Sequence, residues 1–161
     1  LIDFVNQISG MVSQTVFPYV SNRIHEVGFS KIASLLKTVL YFIVIITSCI
    51  GVIFFLIPDK IVYLVSGGNY HEAIWSLRFL SFVPLITGIN VPAVQILLGY
   101  SYDRLFSIVV IAGGLINLII NFILVPFMAY KGSCLAVIIS ELFVTIGLYY
   151  AILHMKRKHL L

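Results

Sequence analysis

Glu141 is the side chain whose type and position point most directly to chemistry. It is the one charged residue in an apolar run from Gly132 to about Leu153. A carboxylate near the middle of a bilayer costs about 2.5–3.5 kcal/mol on insertion scales, so it is expected to turn inward. There it would bind a coupling proton, a cation or a polar head group. Alternatively, it is a structural group that ties its helix to a neighbour, with Thr145 one turn along.

Amide side chains also fall in the middle of apolar runs. An amide offers both a donor and an acceptor, which suits a hydroxyl-rich ligand, but it can equally bond one helix to another. The amides predicted for a transport pathway are Gln7, Gln14, Gln95, Asn117 and Asn121. For a carrier, we expect Gln14, Gln95, Asn117 and Glu141 to converge on a common opening.

The stretch from Ser66 to Tyr100 joins a polar turn to a long uncharged run. Pro84, Gly88 and Pro92 share one narrow helical face in this run. The same face carries Ser81, Gln95 and Gly99. Because proline and glycine loosen a helix, the first three residues are candidates for a hinge in alternating access. A static kink is the alternative, and the face itself is predicted to be a wall of the transport pathway.

Arg78 lies where this run leaves the outer surface of the predicted membrane. A guanidinium there would hold a phosphate or an acidic sugar. The alternative is an arginine that snorkels to the interface without a ligand.

The sequence lacks the patterns of an enzyme or a metalloprotein. Its four histidines are scattered through polar connectors and form no HExxH or similar metal-ligand spacing. It contains no Gly-x-Ser-x-Gly turn, no Walker loop and no Gly-x-Gly-x-x-Gly motif. Cys49 and Cys134 lie in apolar runs and indicate neither a disulfide nor a thiolate site. We predict a non-enzyme without a metal or cofactor.

The composition indicates an integral membrane protein. Of 161 residues, 61% are hydrophobic and 10% charged, whereas a soluble domain carries about 25% charge. The mean hydropathy is +1.11. The net charge of +4 comes from basic residues between and after apolar runs, which is loop charge on a membrane protein and argues against a nucleic-acid partner.

Five membrane spans are predicted, which makes the fold class an all-α, polytopic transmembrane helix bundle. Their approximate bounds are 3–22, 34–57, 73–100, 104–127 and 132–154. In the last span, Ala136 and Ser140 form a small-xxx-small pair that permits close helix contact. The chain begins with Leu1, and we interpret it as the downstream piece of a longer protein.

The basic residues predict the topology. Seven of the ten lysines and arginines fall on one side of the predicted spans and three on the other. The richer side holds Arg23, Lys31, Lys37, Arg104, Lys156, Arg157 and Lys158. The positive-inside rule places that side, including the C-terminus, in the cytoplasm.

Several motifs together resemble the C-terminal half of the O-antigen flippase, or polysaccharide transporter, family. They are the turn SGGNYHEA at 66–73, LRFL at 77–80, QILLG at 95–99, Asn117 and Asn121 followed by Pro126, YKGSCLA at 130–136 with Glu141 beyond it, and FPYVS at 17–21. The resemblance covers nearly the whole chain.

The resemblance implies a MATE-like transporter of two six-helix lobes, of which this chain is a part of the second lobe. The substrate would be an undecaprenyl-pyrophosphate-linked oligosaccharide repeat unit, moved across the bacterial inner membrane by alternating access. The expected partners are membrane lipid, the lipid-linked glycan, the missing N-terminal lobe, a polysaccharide polymerase and glycosyltransferases. Two alternatives stay open: a drug or small-molecule cation antiporter of the same superfamily, and a non-transporting envelope-assembly membrane protein.

Overall fold

A computed structural model describes residues 29–68 and 70–159, which form helices and no strand. This confirms the predicted all-α bundle. The helices are α1 (Phe29–Leu56), α2 (Pro58–Ser66), α3 (His71–Leu80), α4 (Val83–Gly99), α5 (Asp103–Met128) and α6 (Tyr130–His159). The predicted first span, 3–22, lies outside the described residues together with Gln7 and Gln14.

A proline turns the chain sharply after α1. Pro58 occupies the first turn of α2, and the axis of Pro58–Ser66 is bent by 84° from that of Tyr41–Leu56. Proline has no N–H to continue the α1 ladder, so a new helix begins there. Gly67 ends α2 in the left-handed conformation (φ 68°) and donates its N–H to the carbonyl of Tyr63 at 2.8 Å.

The predicted span 73–100 consists of two helices, α3 and α4, separated by a turn at Ser81 and Phe82. Pro84 in the first turn of α4 lacks the N–H that would continue the α3 ladder. The Ser81 hydroxyl donates to the Arg78 carbonyl at 2.7 Å and closes the last turn of α3. Together, His71–Gly99 form a candidate membrane span.

α5 and α6 form a helical hairpin that packs at small residues. A Cβ on Gly132 would lie 2.7 Å from the Leu124 carbonyl, and one on Gly147 would lie 2.8 Å from Val109 Cγ1. A Cβ on Gly113 would likewise collide with the side chain of Val144. Without side chains at these positions the two helices approach closely, as membrane helices do at small residues.

The α3–α4 span forms the centre of the described bundle. In an 18-residue apolar window of this span 56% of the residues are buried, compared with 28% in Tyr130–Met155 and 6% in Asp103–Met128. α4 packs between α1 on one side and α6 on the other, and α5 covers α6 and touches α4. The outer faces of α1 and α5 expose large apolar side chains such as Phe42, Phe122 and Phe127, which suits contact with lipid.

Candidate functional site

A cavity of about 520 Å³ lies between α4, α5 and α6. Its size is within the range of about 300–1,000 Å³ that small-molecule sites occupy. The polar side chains that line it are Thr87 and Asn90 from α4, Asn117 from α5, and Ser140 and Glu141 from α6. Two glycines of α5 and six apolar side chains complete the wall: Val94, Phe106, Val110, Val137, Val144 and Leu148. Polar groups from three separate helices thus face one space.

One end of the cavity is held by a chain of hydrogen bonds. Asn121 Nδ2 donates to Asn117 Oδ1 at 3.0 Å and to the Asn117 carbonyl at 2.9 Å. Asn117 Nδ2 donates to Ser140 Oγ at 3.0 Å, and Ser140 Oγ donates to the Val137 carbonyl at 2.9 Å. This chain joins α5 to α6 and fixes the orientation of the Asn117 amide. Both Asn117 and Asn121 therefore have a structural function, and of the two only Asn117 lines the cavity.

Asn90 is buried in the wall of the cavity without a partner for its oxygen. The residue is 7% exposed, and Asn90 Oδ1 has no hydrogen-bond partner in the described part of the chain. A buried acceptor without a partner costs about 1–3 kcal/mol. Because the residue as a whole lines the cavity, its amide is a candidate to exchange hydrogen bonds with a ligand or with water.

Glu141 lines the same cavity and is partly exposed to it. Among the residues whose side chains the structure describes (38, 41–68 and 70–155), its carboxyl group has no ion-pair or hydrogen-bond partner. Thr145 does not assist the carboxyl group, because its hydroxyl donates to the Glu141 backbone carbonyl at 2.8 Å. No bond in this part of the chain therefore supports the alternative that Glu141 ties α6 to a neighbouring helix.

The face of α4 that was predicted to be the wall of the pathway is instead its packing face. Its members are all buried and none of them lines the cavity: Ser81, Pro84, Gly88, Pro92, Gln95 and Gly99. The cavity side of α4 carries Thr87, Asn90 and Val94, about 130° further round the helix at 100° per residue. Small residues and prolines leave room for close contact, so the predicted face meets protein.

Gln95 accordingly does not share an opening with Asn117 and Glu141. Its side chain is 1% exposed inside the bundle. Gln14, the fourth member of the expected group, lies outside the described residues. The convergence that the structure shows is that of Asn90, Asn117 and Glu141.

Arg78 lies outside the cavity, against aromatic rings. Its guanidinium carbon is 5.8 Å from the centre of the Trp75 ring and 6.0 Å from that of Phe55 on α1. These distances permit cation–π attraction. Arg78 Nε is buried without a hydrogen-bond partner in the described residues. Binding of a phosphate or an acidic sugar by Arg78 stays a prediction.

The hinge candidates lie in a weakened part of the α4 ladder. Pro92 is inside the helix and cannot donate to the Gly88 carbonyl. The Tyr149 hydroxyl of α6 donates at 2.9 Å to the carbonyl of Ile89, the next residue along. This side-chain bond supports α4 from outside at the point where its own ladder is interrupted. Whether α4 bends there during transport stays a prediction.

Asn90 is missing from the residues that the sequence predicted for the site, although its signal was present. It is an amide in a long uncharged run, as is Gln95, and the cost of burying an amide in lipid applies equally to both. It does not share the proline and glycine face, and it lies on the side of α4 that lines the cavity. Ser140 was predicted as a packing position, and the structure adds its bond to Asn117.

These features define a multi-pass α-helical membrane protein with a largely apolar cavity that carries polar side chains from α4, α5 and α6. The chain is 26% identical over 144 residues to an Escherichia coli strain K12 protein named "Putative O-antigen transporter". The match covers 87% of this chain and 34% of that protein. This similarity confirms the resemblance that the motifs indicated, and the chain spans about a third of its relative's length. No protein-family model and no solved structure matches the chain.

Proposed function

We propose that this chain is the C-terminal part of a flippase for cell-surface polysaccharide. The whole protein would move undecaprenyl-pyrophosphate-linked oligosaccharide units to the outer leaflet of the bacterial inner membrane. The observation that carries the proposal is the convergence of Asn90, Asn117 and Glu141 on one cavity inside an apolar bundle. The similarity to the E. coli protein supports the substrate class.

The physical requirements of such a substrate match this arrangement. A glycan is rich in hydroxyl groups, and amide and carboxyl side chains can exchange hydrogen bonds with them inside the membrane. The lipid tail needs an apolar surface at the side, and the exposed side chains of α1 and α5 offer one. Sites between packed helices near the middle of the membrane are usual in secondary transporters.

Alternating access would require the remainder of the protein. This chain spans 34% of the relative, and we propose that a first lobe forms the opposite wall of the cavity and rocks against this one. Pro84, Gly88 and Pro92 of α4 would absorb part of the bending.

The test is leaflet-resolved transport by the full-length protein in lipid vesicles. We expect a fluorescent lipid-linked glycan to reach the opposite leaflet faster than in vesicles without protein, and a cationic dye to show no such increase. Transport of the dye without the glycan would overturn the flippase proposal. Transport of neither substrate would favour the envelope-assembly alternative.

The cation antiporter is a second candidate because of one observation. Glu141 lines the cavity without a basic partner in the described chain, and a carboxylate in an apolar site attracts organic cations. The same vesicle assay separates the two functions, because the glycan depends on hydrogen bonds from the cavity wall and the dye on the negative charge of Glu141.

A further inference from the structure

α2 leaves α1 at nearly a right angle. α1 has 28 residues with a mostly apolar sequence, which is long enough to cross a bilayer. The axis of α2 is bent by 84° from that of Tyr41–Leu56, so α2 lies close to the membrane plane. Asp59 and Lys60, the first charged residues after α1, are exposed in the first turn of α2. Because charged side chains are costly in the hydrocarbon core, the bend marks the depth at which that core ends.

α2 is amphipathic on either side of its buried edge. At that edge Val62 packs with Ile74 and Leu77 of α3. At 100° per residue, one flank of Val62 is apolar and carries Ile61, Leu64 and Val65. The other flank carries Asp59, Lys60, Tyr63 and Ser66. Leu64 is 86% exposed, and such an apolar flank suits contact with lipid at the boundary between headgroups and acyl chains.

The guanidinium of Arg78 lies at the same depth as the end of α1. Its carbon is 6.0 Å from the centre of the Phe55 ring, which belongs to the last turn of α1. It is 5.8 Å from the ring of Trp75, a partly exposed residue one turn earlier in α3. Tryptophan is enriched at the membrane–water interface. Arg78 and its aromatic neighbours therefore lie at the level of the lipid headgroups.

Arg78 has no anionic partner among the residues whose side chains the structure describes. Its guanidinium forms no ion pair or hydrogen bond with them. Nε is enclosed, whereas the two terminal nitrogens of this half-buried side chain are not. Aromatic rings attract the cation but carry no charge to neutralise it. The planar terminal nitrogens suit two parallel hydrogen bonds to a phosphate.

We propose that Arg78 binds the headgroup phosphate of an anionic phospholipid, in the leaflet at the α2 end of the bundle. Phospholipid is the occupant because Arg78 lies outside the cavity of α4, α5 and α6. The surface beside it is continuous with lipid-facing α1, where Leu56 follows Phe55 and is exposed. The inference goes beyond the proposed function, since it concerns a lipid held outside the cavity and is independent of the substrate carried.

The experiment reads the fluorescence of Trp75, the one tryptophan of this chain. The full-length protein, with any tryptophan outside this chain replaced by phenylalanine, is placed in phosphatidylcholine vesicles that contain a minor fraction of phosphatidylglycerol. Bromine is placed on the acyl chains of one lipid at a time, because it quenches a tryptophan that the lipid touches. The quenching by each lipid, divided by its fraction in the vesicle, gives the lipid preference at Trp75.

The variants are Arg78→Gln, which removes the charge, Arg78→Lys, which keeps it, and Lys131→Gln as the matched control. Lys131 is exposed in the first turn of α6, with Nζ 6.0 Å from the ring of Tyr130. Two membrane crossings separate it from the start of α3, so it lies on the same side of the membrane. The control therefore removes one positive charge near an aromatic ring at the same surface.

We expect the unmodified protein to prefer phosphatidylglycerol by about fivefold, the effect of one basic side chain at an anionic lipid surface. Arg78→Gln should reduce this preference to near unity, Arg78→Lys should keep part of it, and Lys131→Gln should leave it unchanged. The preference is a ratio within one variant, so a smaller yield of folded protein does not alter it. No preference in the unmodified protein, or a preference that survives Arg78→Gln, would overturn the inference. Absence of quenching by both lipids would also overturn it, because protein would then cover Trp75.

Two further additions distinguish the sources of phosphate. Inorganic phosphate is compared with chloride at the same ionic strength, and undecaprenyl pyrophosphate is added as a trace lipid. We expect neither to lower the preference for phosphatidylglycerol. A loss specific to inorganic phosphate would identify a free anion as the ligand, and a loss with the trace lipid would identify the pyrophosphate of the proposed substrate; either result would overturn the phospholipid site. None of these measurements requires transport, so their failure leaves the flippase proposal standing.

Discussion

At the scale of single residues, Asn90 carries an unusual combination of burial and an unused oxygen. The residue is only 7% exposed, and its Oδ1 has no hydrogen-bond partner in the described chain. Because the residue lines a cavity, we propose that a ligand or a water supplies the missing partner of this amide.

We predict that Asn90→Leu raises the stability of the full-length protein and lowers its transport rate. Leucine has a similar size and removes an unpaired acceptor whose burial costs about 1–3 kcal/mol. The measurements are thermal unfolding in detergent and glycan transport in vesicles. Asn121→Leu is the control, and it should destabilise the protein because Asn121 donates two hydrogen bonds to Asn117. A loss of stability in Asn90→Leu equal to that in Asn121→Leu would contradict the prediction.

At the scale of helices, adjacent glycines of α5 have opposite surroundings. A Cβ on Gly113 would collide with Val144 of α6, whereas one on Gly114 meets nothing within 4 Å. Valine is branched at Cβ and has one strongly preferred χ1 rotamer in a helix. The collision is therefore relieved by moving the helices apart. The distance between α5 and α6 therefore depends on Gly113.

We predict that Gly113→Ala destabilises the protein by about 1–3 kcal/mol, as overpacking in a core does. Gly114→Ala should be neutral or stabilising by up to about 1 kcal/mol, because alanine favours a helix over glycine. The measurement is thermal unfolding of both variants. Restoration of stability by Val144→Ala in the Gly113→Ala background would identify the collision as the cause, and equal stability of the two glycine variants would refute it.

The prolines of α4 and α5 give a matched test of the hinge. Pro92 is buried in the middle of α4, whereas Pro126 is exposed near the end of α5. We predict that Pro92→Ala slows transport without loss of stability, since proline in a helix interior is about 3 kcal/mol less favourable than alanine. Pro126→Ala should leave transport nearly unchanged. Equal transport by the two variants would mean that the α4 kink is static.

At the scale of the whole molecule, the excess of basic residues predicts a cytoplasmic C-terminus. The turns that join α4 to α5 and α5 to α6 then lie on opposite sides of the membrane. Ser101 and Ala129 are exposed residues of these two turns.

We predict that, after Cys49 and Cys134 are replaced by serine and alanine, Ala129→Cys in the full-length protein reacts with an impermeant thiol reagent added outside intact cells. Ser101→Cys should react only after the membrane is opened. The measurement is mass-shift labelling of each variant. The reverse pattern would invert the topology and with it the direction of the proposed transport.

Much of the helix pattern was predictable because its causes are local. Pro58 and the glycines at 67 and 68 marked the ends of α1 and α2. The Ser101 to Arg104 turn separated α4 from α5 where it was expected. The break at Ser81 and Phe82 was not foreseen, although Pro84 explains it.

The sequence alone determined that this chain lies in a membrane as a helical bundle. In lipid the backbone N–H and C=O groups of a long apolar run must form hydrogen bonds with each other, and a helix allows this within the run itself. The tertiary structure alone decided which side of α4 meets protein and which lines the cavity, and so placed Asn90 rather than Gln95 on the cavity wall. Helical periodicity tells which residues share a face, but what lies opposite that face depends on contacts with α1, α5 and α6 that are distant in sequence.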